Sequence, residues 1–135
     1  MRSIAPPTGA APPDEARLAG TALALGPLAQ DICERYRAEF PDERERYGDA
    51  GVEWCIHDNR HILAWAIESL DPGYVDYGER IAWLARILGA RDFPVDRLAR
   101  DLEIAADVVR EHRLPEAETL AARLISPVEA LRNRA

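Results

Sequence analysis

The side chains best able to do chemistry crowd into one stretch of this chain. Between Tyr47 and Leu70 it reads YGDAGVEWCIHDNRHILAWAIESL, with two of the three tryptophans, one of the two cysteines and two of the three histidines. Three chemistries are open to such a set. His57 and His61 are four apart, on one helical turn, with Glu53, Cys55 and Asp58 nearby, which is the start of a metal site. But Cys55 and Asp58 leave the helix in partly different directions, His112 is alone, and no second cluster supplies further ligands, so no metal is expected. A cysteine nucleophile needs a thiolate and a base within reach. His57 is two residues from Cys55 and does not face it on a helix, so no catalytic dyad is expected. With no Gly-rich phosphate loop and no acid pair that stands out, the chain is not expected to be an enzyme. The third chemistry is a slot for a flat ligand. Trp54, Asp58, His61 and Trp65 share one helix face, and Tyr74, Tyr77 and Trp83 follow. Such aromatics serve either core packing or a planar ligand, and both readings stay open.

The elements that must position these residues read as helices. Residues 1–13, MRSIAPPTGAAPP, are expected to be a mobile tail, and residues 14–135 one domain. Asp14 and Glu15 look like a helix start, with Leu18, Thr21, Ala22 and Leu25 at helical spacing and Gly26-Pro27 breaking the run. A second run carries Leu28, Ile32, Cys33, Tyr36 and Phe40 on one face and ends at Pro41. The central helix follows, weak in its first turns at Gly48 and Gly51. Asp71-Pro72 is expected to cap the next helix, which shows Tyr74, Tyr77, Ile81, Leu84 and Leu88 on one side and ends at Gly89. Val95, Leu98, Leu102, Ala105 and Val109 line another helix, and a last one from Pro115 kinks near Ser126-Pro127. No segment sustains the period-two alternation of a strand, so the fold class expected is all-α, with five or six helices.

Composition narrows the partners. The net charge of −7, from 17 basic and 24 acidic residues, disfavours nucleic acid and anionic membrane. Every basic residue is arginine, so an anion would be held by guanidinium forks. Two cysteines make no disulfide framework. No apolar run has membrane-spanning length, and reduced thiols and a cytoplasmic location are expected. A globin-type haem needs a histidine on the helix after the central one. Residues 73–89 hold none, so haem is not expected.

Taken together, Tyr47, the tetrad Cys55-Ile56-His57-Asp58, the aromatic helix behind it, Asp71-Pro72 and the helix-opening Pro94 resemble the phycobiliproteins, over roughly residues 28–131. That family's tetrad is Cys-Ile/Ala-Arg-Asp, and the chain departs from it at His57. It also has Ala50 and Gly51 where the family carries arginines, and it lacks the N-terminal antenna hairpin. It is therefore more similar to the bilin biosynthesis-associated globins of bacteria than to an antenna subunit. The resemblance implies a globin-like domain and a non-enzymatic role in binding or handling a bilin (a linear tetrapyrrole). It implies that Cys55 carries the bilin through a thioether, or that the slot holds it non-covalently, and that Asp58 accepts hydrogen bonds from pyrrole N–H groups. His57 and Arg60 would meet the propionates, and Tyr47 and Tyr77 would line the walls. The expected partners are the tetrapyrrole or a protein of bilin metabolism, and a second copy of the chain. The alternative is a ligand-free globin-like protein acting through homodimer or partner contacts.

Overall fold

The computed structural model describes residues 11–134. The expected tail lies mostly outside them. Of its described part, Pro12 is buried, and the carbonyls of Pro12 and Pro13 accept hydrogen bonds from Arg60 at 2.8 and 3.3 Å.

The described chain is mostly helical, as expected, but its first element corrects the helix expected from Asp14 and Glu15. Glu15–Leu18 (β1) and Thr21–Ala24 (β2) form an antiparallel hairpin, with Glu15 opposite Ala24 and Leu18 opposite Thr21. Two residues make the turn, Ala19 at φ 51° and Gly20 at φ 80°. Positive φ at both positions gives a turn whose twist matches that of paired strands. Ala16, Leu18 and Leu23 point inward, a period of two that the helical spacing of Leu18, Thr21, Ala22 and Leu25 disguised.

The rest is helical: α1 (Leu25–Glu39), α2 (Glu43–Leu70), α3 (Tyr77–Ala90), α4 (Val95–Glu111), α5 (Ala117–Ile125) and α6 (Val128–Arg134). Gly26 and Pro27 do not break a helix; they sit in the first turn of α1, where a missing N–H removes no helical bond. α2 is interrupted at Gly48, whose φ of 69° and ψ of −165° are not helical. Asp71 ends α2 instead of capping α3. The α3 cap is Asp76, whose side chain accepts from the Glu79 N–H at 3.1 Å, so α3 starts at Tyr77. Tyr74 lies outside that helix and is exposed. Gly89 stays inside α3, which ends one residue later. Ser126-Pro127 separates α5 from α6.

α4 is the central post. It packs on α1, α5 and α6 and also touches α3. Its expected stripe, Leu98, Leu102, Ala105 and Val109, is buried, and so are Ala99, Ile104, Ala106 and Val108. Burial on several sides is what a helix surrounded by others requires. Asp101 lies among these residues and is itself buried. Arg97 of α4 binds Asp42 at 2.9 Å and Glu43 at 2.6 Å, which fixes the start of α2 against α4. Arg123 of α5 donates to Ser69 Oγ at 2.7 Å, which fixes the end. Among the described residues, no helix is long and apolar enough to cross a membrane.

Candidate functional site

α2, α3 and α4 do not close against one another along their whole length. They enclose a cavity of about 380 Å³, with Tyr36 of α1 as a further wall. The walls are aromatic and aliphatic: Tyr36, Tyr47, Trp54 and Phe93 with Ile62, Leu84, Leu88 and Leu98. Tyr47 packs on Phe93 with ring centres 5.8 Å apart. Gly51 is needed for this wall, because a Cβ there would lie 2.8 Å from the Cβ of Tyr47. At the exposed edge the guanidinium of Arg91 lies 5.5 Å from the centre of the Trp54 ring, within cation–π range.

The polar groups of the cavity come from three places. Glu43 of α2 is bound outside the lining by Arg97. Burial pushes its carboxyl upward, and that hydrogen-bonded guanidinium pulls the other way. Asp58 of α2 receives the Nδ1 of His57 at 3.1 Å. Burial again raises it, opposed by His57 and, more weakly, Arg91. Among the described residues, the hydrogen-bond partner of Asp101 of α4 is Asn59, whose Nδ2 donates to its Oδ1 at 3.2 Å. Burial carries the Asp101 carboxyl up to about 7, with Asp58 and Glu43 adding to the rise. Asn59 is 2% exposed, and among the described residues its Oδ1 has no hydrogen-bond partner; the buried hydroxyls of Tyr36 and Tyr47 have none there either. Tyr36 lies in the field of Glu43 and Arg97 without closing a well-formed bond. Buried polar atoms are nearly always satisfied by protein, water or ligand.

No protein-family model, curated protein or solved structure matches the chain.

Of the six residues singled out in the sequence, three line the cavity: Cys55, Asp58 and Tyr47. The other three do not. His57 stands behind Asp58 and belongs to an aromatic ladder, with its ring centre 5.2 Å from Trp54 and 4.9 Å from His61. Arg60 points to the other end of the chain and pairs with Asp14 at 2.6 Å. Tyr77 is core; it is 2% exposed and its hydroxyl donates to the Leu124 carbonyl at 2.8 Å. The expectation of reduced thiols is also corrected. Cys33 of α1 and Cys55 of α2 are joined as a disulfide, with Cα atoms 6.0 Å apart, a usual span for the bond. While it is closed, Cys55 has no thiol to offer a ligand. Asn59 Nδ2 lies 3.6 Å from both sulfurs.

Sequence reasoning passed over Asn59, Asp101 and Tyr36 as site residues. The signal was there for two of them. Asn59 falls in the apolar stripe of α2, and Asp101 sits one position before Leu102 on the buried side of α4. Polar residues at core positions need a partner or a job. Nothing in the local pattern reveals that the two meet, since they are 42 residues apart.

Proposed function

We propose that this protein is a non-enzymatic binder of a flat, nitrogen-bearing small molecule, held in the cavity between α2, α3 and α4. The observation that carries this reading is the buried polar set of Asn59, Tyr36 and Tyr47, unpartnered among the described residues, in a cavity whose walls are mainly aromatic and aliphatic and whose charged groups are Glu43, Asp58, Asp101 and Arg91. Small-molecule sites combine apolar walls with a few converging polar groups, and 380 Å³ lies in their size range. Acceptors dominate the interior, through Asp58, Asp101 and the Oδ1 of Asn59, which favours a ligand rich in N–H donors. A linear tetrapyrrole on a globin-like scaffold remains the ligand class that the tetrad resemblance favours. In this narrower form, part of the bilin occupies the cavity, Asp58 still meets pyrrole N–H groups, and Arg91 at the edge takes the propionate role in place of Arg60. Binding is non-covalent while the disulfide is closed. A role without turnover fits the chemistry on hand, because the two cysteines are bonded to each other and His57 stands outside the cavity.

The test is a titration of the purified protein with biliverdin, followed by absorbance and by quenching of tryptophan fluorescence. Narrowed, red-shifted bands with saturable quenching are expected. They should weaken at least tenfold in Leu84→Trp, which fills the cavity. Unchanged spectra at all concentrations would refute the tetrapyrrole reading. Equal binding by Leu84→Trp would move the site elsewhere.

A further inference from the structure

We propose that the cavity takes its ligand as an aromatic cation, with Asp101 as the counter-ion. This rests on the reading of the cavity as a small-molecule site and adds the charge class of the ligand. Three carboxyl groups line the cavity, Glu43, Asp58 and Asp101, against one guanidinium, Arg91, at the exposed edge. Two of the three have a basic partner behind the wall: Arg97 for Glu43 and His57 for Asp58. Asp101 is different. It is 6% exposed, its hydrogen-bond partner is the neutral amide of Asn59, and the other titratable groups in its field are Asp58, Glu43, Tyr36 and Tyr77. None of these is a cation.

A carboxylate taken out of water without a cation is costly, and it either stays protonated or acquires a partner. Beside Asp101 the buried Oδ1 of Asn59 is also without a partner. Two acceptors on neighbouring side chains, one of them ionisable, match the amino group of an amidinium-like aromatic cation, which carries two N–H bonds. The walls agree, since Tyr36, Tyr47, Trp54 and Phe93 present aromatic faces and edges that stabilise a flat cation. An anionic group placed at Asp101 would be repelled, whereas carboxylates carried elsewhere on a ligand, such as a bilin's propionates, would lie at the edge by Arg91.

Two fluorescent three-ring probes of nearly equal size separate charge from shape: 9-aminoacridine, an amidine-like cation at neutral pH, and acridone, which is neutral. The cation is expected to bind at least tenfold more tightly than acridone to the wild-type protein. Asp101→Asn should erase that preference, with the fold of the variant checked by its circular dichroism and a cooperative urea transition. A measurement on the wild type does not depend on the variant. At pH 6, where Asp101 is largely protonated, calorimetry in buffers of different ionisation heat should show proton release with 9-aminoacridine and none with acridone. Equal affinities for the two probes, or no proton release, would overturn the counter-ion role while leaving the cavity as a neutral-ligand site. If neither probe nor biliverdin binds, the small-molecule reading falls with it.

Discussion

Asn59 and Asp101 are each a polar group at a position that the helix pattern reserves for the core. The folded-state pKa of Asp101, about 7, lies above its ordinary value of 3.8. In that window the folded chain holds a proton that the unfolded chain has lost. The stability associated with this group is therefore complete below about pH 4 and is lost as pH rises through about 7. Urea midpoints should fall between pH 5 and pH 8 in the wild type and fall less in Asp101→Asn. Glu43 and Asp58 shift in the same direction, so the variant keeps part of the slope; equal slopes would remove Asp101 from the account. Tyr77 carries a different expectation. Tyr77→Phe deletes one buried hydrogen bond to Leu124 and should cost about 1 kcal/mol with no change in probe affinity, since Tyr77 does not line the cavity. The disulfide makes a third. The described chain has no free thiol, so alkylation of the intact protein should add no mass until a reductant is present, and then two adducts. Cys33→Ser opens a loop of 22 residues and should cost about 3 kcal/mol by urea unfolding. A first alkylation without reductant would contradict the pairing.

At the scale of elements, α2 matters through its first turns. Gly48 breaks the helix and Gly51 lets Tyr47 lie over it. In an open helix, Gly→Ala would gain up to about 1 kcal/mol. At Gly51 the new Cβ would stand 2.8 Å from the Cβ of Tyr47, an atom fixed to the backbone that cannot swing aside. Gly51→Ala should therefore destabilise by about 1–3 kcal/mol and weaken biliverdin binding, because Tyr47 is a cavity wall. A more stable variant would mean that the Tyr47 segment moves freely. The start of α3 shows how an element can be read at the wrong place. Asp71-Pro72 and Asp76-Tyr77-Gly78-Glu79 both carry helix-start chemistry, but the second also has Glu three residues after Asp. The cap formed at Asp76, and the displacement put Tyr74 in solvent and Tyr77 in the core.

For the whole molecule, the hairpin is an integral part of the core. Ala16, Leu18 and Leu23 are buried with Leu25 and Leu28 in one cluster, and Arg60 of α2 holds Pro12, Pro13 and Asp14. Starting the chain at Leu25 should destabilise it by about 5 kcal/mol, read as a drop in the urea midpoint. An unchanged midpoint would make the hairpin an ornament. The helical content, the faces of α1 and α4, and the dense stretch Tyr47–Leu70 were legible from residue order, because helical periodicity and N-terminal or C-terminal signals are local. The resemblance to phycobiliproteins marked Cys55, Asp58 and Tyr47, which line the cavity, and equally His57, Arg60 and Tyr77, which do not. The hairpin was hidden because Leu18, buried on β1, also falls at helical spacing with Thr21, Ala22 and Leu25, and the turn at Ala19-Gly20 is the local sign against a helix. The partners decided by tertiary structure are those that residue order holds far apart: Cys33 with Cys55, Asn59 with Asp101, Arg60 with Asp14 and Tyr77 with Leu124. A helical pattern states which face of α2 is buried, but not which helix covers it. Packing against α4 turned a polar blemish at Asp101 into the floor of a cavity, because only there do burial, the absence of a cation and the open volume coincide.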